Sequence, residues 1–486
     1  MSLHQRVSYK WLALSVTSLG ALVASMNSGT LIIALPTLLR DLHTSLLDLI
    51  WILLAYNLTQ TVLVLNVGRF SDMWGRKRLF VLGFAVFTAA ALLAGMTSSV
   101  GWLIALRALQ GVGGAFMIAN SSAIVTDAFP RSELGLAIGT NQMMVAVGLI
   151  LGPILGGWLT TLGWRWVFWF NVPLGLIGLI WALWTLREPQ AALDRRDPVD
   201  FVGNLTYAVG LAALMLGLSV GGIENWNKFP IYAVIAVLAL IAFFLTELRI
   251  KKPMLDLTLF GRTTFSLNNL LAFISAVTRQ ALTFLFVFYF QGARGYSPVL
   301  AGLALGPLAV GLLVASPISG RLADRFGPKL FSWLGLALST LATAGFALTL
   351  GLHTPYWQLA AWMLLGGLGS GLFNSPNSSA IMGSVPPDRR GIAAGTRTLL
   401  IIVGGVLSII YTISVVVASV PKSVMFQVFS GLASNLPAAT LDPFVSGLRV
   451  AFWTLAAIGL VGVLLALAGP VQERRPANLA MRSADD

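Results

Sequence analysis

The chain has 486 residues, of which 57% are hydrophobic and only 10% are charged. A soluble domain carries about 25% charged residues, so the composition excludes a row of soluble domains and indicates a polytopic membrane protein. There is no cysteine, which excludes disulfides, thiol catalysis and cysteine-based metal sites, and the formal net charge is +13.

Fourteen apolar runs follow one another along the chain. Each is long enough to cross the ~30 Å hydrocarbon core of a bilayer as a helix. They lack the period-two alternation of barrel strands, so the sequence predicts an all-α membrane protein. The predicted segments are 11–35, 49–68, 79–97, 101–125, 134–160, 166–186, 201–222, 229–248, 264–290, 299–319, 330–350, 357–383, 391–418 and 450–469.

Basic residues are distributed very unevenly over the loops. With the amino terminus placed in the cytoplasm, 22 of the 31 Lys and Arg residues fall on the inner side and six on the outer side. Such an excess sets the orientation of membrane proteins, so both termini are predicted to be cytoplasmic. The same distribution accounts for the net charge without nucleic-acid binding and favours contact with anionic lipid.

The chain repeats itself. Gly, Arg, Asp, Gly and Lys recur at the same spacing in the stretches 68–77 and 320–329, which are 252 residues apart, and Asn-Ser-Ser-Ala-Ile at 120–124 recurs at 377–381. Parallel six-helix repeats are a transporter architecture with a site near the membrane midplane. The predicted units are an N-terminal bundle at 1–190, a two-helix insertion with its linkers at 191–260, and a C-terminal bundle with its tail at 261–486.

The repeated loop predicts a conformational latch at the cytoplasmic side. Its glycines allow a tight turn, and its aspartate can accept hydrogen bonds from a helix N-terminus or pair with an arginine across the bundle. An ordinary basic loop that sets topology is the alternative, and the presence of two copies favours the latch. The predicted latch residues are Gly68, Asp72, Gly75, Arg76, Gly320, Asp324 and Gly327.

Glycines recur every four residues in the fifth segment, at Gly148, Gly152 and Gly156, around Pro153. This spacing clears side chains from one helix face, so that another helix can pack closely. Pro153 removes a backbone donor and can kink the helix. The motif predicts a close, deformable contact on which the two halves rock.

These stretches resemble the signature motifs of the major facilitator superfamily. The loop at 68–77 and the pattern Arg107-x-x-Gln110-Gly111 carry the resemblance, and the glycine-rich stretch 148–157 is similar to the so-called antiporter motif of the family's drug:proton antiporters. The fourteen segments look like that family's 14-helix branch. The resemblance implies alternating access by rocking of two six-helix bundles, with export of amphiphilic compounds against an inward flow of protons.

The first segment departs from that branch, because Asn27 stands where its members commonly carry an acidic residue. Every Asp and Glu falls in a loop, in a tail or near a segment end, so no carboxylate is evident in the membrane core. Arg107, Arg279 and Arg397 lie in apolar runs instead. Each needs a polar partner, because a bare arginine at mid-membrane costs ~2.5–3.5 kcal/mol on insertion scales.

Three arginines among amides predict a cavity for an anionic or zwitterionic head group. For Arg107 the alternative is a structural role on backbone carbonyls, and for Arg279 and Arg397 it is snorkelling towards an interface. The predicted cavity residues are Asn27, Asn57, Arg107, Asn120, Asn141, Gln142, Arg279, Gln280, Asn374, Asn377 and Arg397.

Catalytic and metal-binding patterns are absent from the sequence, which has neither a phosphate-binding Gly-x-x-x-x-Gly-Lys-Ser/Thr loop nor a His/carboxylate cluster. We therefore predict a monomeric non-enzyme without cofactor or metal, in a bacterial plasma membrane. The hypotheses are a secondary exporter of amphiphilic small molecules, a transporter of an anionic lipid or lipid conjugate, and a non-transporting scaffold or sensor. The outer loop 419–449 fits either a contact with the outer leaflet or a plain connector.

Overall fold

The computed structural model describes residues 8–130, 133–188, 200–250, 255–386, 389–433 and 436–469. Within these ranges the structure contains helices and no strand, which confirms the predicted all-α fold. Thirteen of the described helices are long and apolar enough to cross a membrane. The remaining predicted segment forms a helix of 28 residues, Tyr356–Gly383, that is richer in glycine, serine and asparagine.

The first half of the chain forms six helices that pack together. Helix α1 packs along α5 and also contacts α4 and α6, while α4 packs against both α2 and α3. The helices are α1 (Tyr9–Asp41), α2 (Leu46–Trp74), α3 (Arg76–Met96), α4 (Val100–Ala128), α5 (Leu134–Thr161) and α6 (Trp166–Trp169 continued by Asn171–Thr185).

The second half repeats this arrangement. The fourth helix of the half again packs against the second and the third, and the first packs along the fifth. The helices are α9 (Thr263–Phe288), α10 (Pro298–Ala304 continued by Gly306–Phe326), α11 (Pro328–Thr349), α12 (Tyr356–Gly383), α13 (Arg390–Ser419) and α14 (Ala438–Ala468).

Two further helices lie between the halves in sequence, α7 (Phe201–Ile223) and α8 (Phe229–Arg249). They pack on each other, and α7 also contacts α2 of the first half and α13 of the second. Only 11% of the apolar window of α8 is buried, so α8 presents most of its surface to lipid. The boundaries at 190 and 260 stay predictions.

Matching glycines show the repeat in three dimensions. A Cβ at Gly113 would lie 2.6 Å from the carbonyl oxygen of Gly83, and a Cβ at Gly369 would lie 2.6 Å from that of Gly335. The same close crossing therefore joins the third and fourth helices of both halves. Side chains at these positions would force the helix backbones apart, which is why small residues are needed there.

Candidate functional site

Arg107 is fully buried inside the first bundle, among α1, α2 and α4. Its Nε donates to the carbonyl oxygen of Ile52 at 3.0 Å, and its Nη1 donates to Oδ1 of Asn27 at 3.3 Å and to Oε1 of Gln110 at 2.5 Å. Its guanidinium carbon stands 4.6 Å from the ring centre of Tyr56. Asn27 is also buried, so neither side chain lines an open cavity here. The geometry fits the alternative prediction for Arg107, a structural role on backbone carbonyls.

Two more of the predicted amides are buried within their own bundle. Asn120 accepts a hydrogen bond from Oγ of Ser71 and donates to the carbonyl oxygen of Phe116 at 2.8 Å, which joins α4 to α2. Asn377 donates to the carbonyl oxygen of Asn268 at 2.9 Å, which joins α12 to α9. Neither asparagine has accessible surface, so both could reach a substrate only if the bundle itself opened.

Asn141 on α5 and Arg397 on α13 make equivalent contacts in the two halves. Nδ2 of Asn141 donates to Oγ of Ser121 on α4 at 2.7 Å. Nη2 of Arg397 approaches the carbonyl oxygen of Asn374 on α12 at 3.5 Å. Each contact joins the fifth helix of a half to the fourth, with an amide in one half and a permanent positive charge in the other.

Five of the predicted cavity residues keep part of their surface accessible, although they lie well inside long helices. The five half-buried residues are Asn57, Arg279, Gln280, Asn374 and Arg397. Four of them belong to the second half, so the accessible polar surface is concentrated on α9, α12 and α13. The side chain of Gln142 lies outside the described part of the structure. Substrate binding by these residues stays a prediction.

The two loop glycines of the predicted latch have backbones that other residues rarely adopt. Gly75 has a φ of 96° and Gly327 a φ of 89°, so both halves make the same turn between their second and third helices. A Cβ at Gly75 would also lie 2.4 Å from Oε1 of Glu188. Glycine is required at both turns because an L side chain is strained at such φ values.

The charged contacts at the first of these turns join helices of one bundle. Oε2 of Glu188 accepts the backbone N–H of Arg78 at 3.3 Å, so this carboxylate caps the start of α3. Arg76 pairs with Asp127 at the end of α4, with 2.6 Å between Nη1 and Oδ2. The surroundings of Gly68 and the side chains of Asp72 and Asp324 lie outside the described part of the structure, and the latch stays a prediction.

The glycine face of α5 packs on α1. A Cβ at Gly152 would lie 2.9 Å from the Cα of Gly29, one at Gly156 would lie 2.6 Å from the carbonyl oxygen of Thr30, and Gly148 comes equally close to α1. The close contact expected from the motif is therefore present. It joins two helices of one half, however, and not one half to the other, because the cleared face points into the first bundle.

Another face of α5 meets the second half. A Cβ at Gly157 would lie 2.4 Å from the carbonyl oxygen of Pro298, and a Cβ at Gly302 would lie 2.4 Å from that of Pro153. This backbone contact joins α5 to the start of α10. It lies at the predicted outer end of the membrane helices, where α5 ends and α10 begins.

The outer loop after α13 packs at the same end. It contains a short helix, Lys422–Phe429, whose Phe429 ring stacks on that of Phe288 with centroids 4.1 Å apart. Phe429 is buried, and a Cβ at Gly431 would lie 3.7 Å from the Cβ of Pro36 on α1. This part of the loop is therefore neither a leaflet contact nor a plain connector, because it packs against both halves.

A hydrogen bond completes the contact between the halves at the outer end. Nε2 of Gln291, just after α9, donates to the carbonyl oxygen of Ile33 on α1 at 2.9 Å, and Gln291 is buried. The contacts between halves described here, at α5 and α10, at α1 and Gln291, and at α1 and the outer loop, all lie at this end. The two halves are therefore joined at the predicted outer side. We call this set of contacts the outer seam.

Comparison with known proteins agrees with this architecture. Residues 17–409, and again 270–484, match the model of the Major Facilitator Superfamily. The chain belongs to the major facilitator superfamily. Its structure is similar to that of a bacterial homologue of the human lysosomal transporter Spinster in an inward-facing conformation, with a TM-score of 0.66 at 19% identity over 94% of this chain and 96% of that one. At this identity the likeness concerns the fold alone.

Relatives in sequence are members of the superfamily with named transport functions. The chain is 28% identical to the riboflavin transporter RibZ of Clostridioides difficile, over 94% of this chain and 96% of that protein. It is 28% identical to the tetracenomycin C resistance and export protein of Streptomyces glaucescens, over 94% and 91%. It is 30% identical to the multidrug transporter protein MdtP of Bacillus subtilis, over 80% and 72%. The chain is thus a major facilitator transporter similar to drug and antibiotic exporters.

The sequence reasoning missed the residues that join the halves of this major facilitator protein. Gln291 and Gly302 carry no motif of their own. Two signals were available: Gly157 follows directly on the glycine face of α5, and the stretch 424–429 is an apolar run inside a loop. Neither signal shows which residue of the other half is contacted, because residues that meet across the outer seam are far apart in sequence.

Proposed function

We propose that this protein exports amphiphilic small molecules from the cytoplasm by alternating access, as a monomeric secondary transporter of a bacterial plasma membrane. The observation that carries the proposal is the seam at the outer end, together with half-buried polar residues deep in the helices. A major facilitator protein whose halves are joined at the outer end is poised to load from the cytoplasm. The named export functions of the tetracenomycin and MdtP relatives support outward transport.

A carboxylate in the membrane core is not part of the proposal. The described acidic side chains lie in the connections between helices or within five residues of a helix end. Asp48 near the start of α2 and Glu247 near the end of α8 are examples of the second kind. Intramembrane carboxylates are the usual proton carriers of transporters and the usual partners of cationic drugs. The proposed cargo is therefore not a simple lipophilic cation.

Everted membrane vesicles from cells that overproduce the protein test this function. Two fluorescent amphiphiles with the same dansyl group and chain serve as probes, one ending in a carboxylate and one in a trimethylammonium group. We expect energised vesicles to accumulate the carboxylate probe faster than vesicles without the protein. Equal rates with and without the protein, for both probes, would contradict the proposal.

A second candidate is transport of an anionic lipid or lipid conjugate. The clustering of accessible charge on the second half, at Arg279 and Arg397, favours it, because a lipid head group could contact these residues while its chains stay in the bilayer. Movement of a labelled phosphatidylglycerol between leaflets of proteoliposomes separates this candidate from export of soluble amphiphiles.

A further inference from the structure

A cleft opens at the predicted cytoplasmic end of the second half, where α9 and α11 begin and α12 and α14 end. It contains about 360 Å³ of unfilled space, including its open mouth. Its polar lining consists of Thr264 and Asn268 on α9 and Lys329 and Ser332 on α11. We propose that this cleft binds the phosphate group of an anionic phospholipid from the inner leaflet. The cleft is separate from the half-buried polar residues of the proposed export function, since Arg279 lies eleven residues further along α9 than Asn268.

Ser332 presents a buried hydroxyl to the cleft. The residue is only 3% exposed, and its Oγ has no hydrogen-bond partner in the described part of the chain. Other serines of this half donate to their own helix, as Ser316 does to the carbonyl oxygen of Leu312 and Ser370 to that of Gly366. Because a buried polar group without a hydrogen bond costs free energy, this hydroxyl favours a polar occupant of the cleft.

Lys329 supplies a positive charge on the same face of α11, three residues before Ser332. Its Nζ donates to the carbonyl oxygen of Gly469 after α14, and it forms no ion pair within the described residues. An ammonium group has three donors, so donors remain for a ligand. The first turn of a helix favours an anion through the helix dipole, and none of the described lining residues is acidic. The lining therefore fits an anion.

The first half closes the equivalent place with its own side chains. Lys77, which is 252 residues before Lys329, likewise donates to a carbonyl oxygen near the end of the sixth helix of its half, that of Leu183, at 3.0 Å. Phe80 stands where the second half has Ser332, and its fully buried ring packs against α1. The same frame is thus filled by an aromatic ring in the first half and left open by a serine in the second.

The first half also provides its own anion at this place. The carboxylate of Glu188 caps the start of α3, and a Cβ at Gly75 would lie 2.4 Å from its Oε1. A Cβ at the equivalent Gly327 would meet no described atom within 4 Å. The start of α11 therefore has room for an external anion where the start of α3 has a carboxylate, and helix N-termini are common phosphate sites.

The position of the cleft indicates a lipid as the source of the phosphate. Lys329 and Ala466, which line the cleft, are each followed in sequence by an exposed leucine, Leu330 and Leu467. Acyl chains can lie against such leucines while the phosphate group reaches Lys329. The cytoplasmic leaflet is rich in anionic lipids, which attract basic residues at the membrane surface. A zwitterionic choline head group would bring a second cation towards Lys329, so an anionic lipid is favoured.

Native mass spectrometry of the purified full-length protein tests the site, with phosphatidylglycerol and phosphatidylcholine as probes. We expect wild type to bind the first phosphatidylglycerol more tightly than phosphatidylcholine. Lys329→Gln should bind phosphatidylglycerol at least about fivefold more weakly, the scale of one lysine at an anionic membrane surface. Lys77→Gln removes the equivalent charge with the equivalent carbonyl contact from the first half, so it is the matched control and should bind as wild type.

Two variants of Ser332 distinguish binding from a structural role. The hydroxyl has no hydrogen bond to lose, so Ser332→Ala should melt at or above the wild-type temperature without lipid. The same variant should lose part of the stabilisation that phosphatidylglycerol gives to wild type. Ser332→Phe places in the cleft the ring that the first half carries there and should exclude the phosphate group. Ser332→Ala carries the test even if Ser332→Phe fails to fold.

Two further measurements decide what occupies the cleft. Competition by millimolar inorganic phosphate shows that the phosphate group alone is recognised, and lack of competition shows that the lipid chains are needed as well; both results support the site if Lys329→Gln weakens binding. Wild-type affinity for phosphatidylglycerol in Lys329→Gln overturns the inference. Binding that appears only in Glu473→Gln also overturns it, because this carboxylate of the C-terminal tail, which lies outside the described residues, would then hold the site. Export by wild-type vesicles tests the proposed function separately.

Discussion

At the scale of single residues, three arginines with the same sequence signal occupy two kinds of environment. Arg107 is enclosed by hydrogen-bond partners on α1, α2 and α4, with only its Nη2 left without one, whereas Arg279 is half-buried and has no partner in the described part of the chain. A buried charge with partners stabilises the fold only as part of its network, and a charge without partners destabilises it. Arg107 and Arg279 should therefore respond in opposite ways to neutralisation.

The first residue-scale prediction is that Arg107→Gln destabilises the protein. The shorter side chain cannot reach the carbonyl of Ile52 and Oδ1 of Asn27 together, so we expect a loss of about 1–3 kcal/mol. Thermal unfolding in detergent measures this loss. Arg107→Lys should not rescue it, because an ammonium group lacks the forked donors of a guanidinium. An unchanged melting temperature in Arg107→Gln would show that the buried network is not structural.

The second residue-scale prediction concerns the latch. Asp72→Asn should weaken closure of the cytoplasmic side, shift the population towards the inward-open state and reduce export, with little loss of fold. Export by everted vesicles and labelling of cysteines placed on the cytoplasmic side measure the two effects, with Asp41→Asn at the outer end of α1 as the control. Wild-type labelling and export in Asp72→Asn would argue against a latch at this loop.

At the scale of elements, α5 has two functions on two faces. Its glycines at 148, 152 and 156 bring it into backbone contact with α1, which builds the first bundle. Gly157 and Pro153 bring it into backbone contact with α10, which joins the two halves. Neighbouring glycines in one motif thus act at different interfaces, and substitutions there should have different consequences.

We predict that Gly152→Leu lowers the stability of the first bundle, whereas Gly157→Leu opens the contact between the halves. Gly152→Leu forces α5 away from α1 inside a bundle, so the protein should melt at a lower temperature or fail to accumulate, in line with the cost of overpacking. Gly157→Leu should keep the bundle intact but open the outer seam. A single cysteine at the buried Ser430 would then react faster with an impermeant maleimide.

The pair of variants is its own control, because the same substitution is made five residues apart on one helix. Equal melting temperatures and equal labelling of Ser430→Cys in both backgrounds would mean that the two faces of α5 have been assigned wrongly.

At the scale of the whole molecule, three contacts between the halves, α5 with α10, α1 with Gln291 and α1 with the outer loop, lie at the predicted outer end. The proposed alternating access requires that this outer seam opens once in each transport cycle. The loop after α13 belongs to the second half, yet Gly431 reaches Pro36 on α1, so this contact must break when the outer side opens. A bond across it should stop transport without unfolding either half.

We predict that the pair Pro36→Cys and Gly431→Cys forms a disulfide that arrests export. Their Cβ atoms would be 3.7 Å apart, within the 3.5–4.5 Å that a disulfide requires, and the chain has no other cysteine to interfere. Gly431 has a φ of 75°, so a cysteine there costs some stability in both redox states, and export by the reduced pair is the reference. Export should be lost on oxidation and return on reduction. The control pair, Ala342→Cys and Gly366→Cys, joins α11 to α12 inside one half at a Cβ distance of 3.4 Å and should export in both states. Full export by the oxidised seam pair would exclude rocking at this contact.

The sequence by itself determined the fourteen helices, the two repeats and the superfamily. Helix number follows from apolar length, which is a property of the chain alone, and the turn glycines Gly75 and Gly327 follow from a backbone that side chains disfavour. Only the tertiary structure decided that Arg107 is enclosed while Arg279 and Arg397 are accessible, that the glycine face of α5 meets α1, and that the outer loop packs between the halves. The physical reason is that burial and contact depend on which helices become neighbours, and a long apolar run looks the same whether it faces lipid, its own bundle or the opposite half.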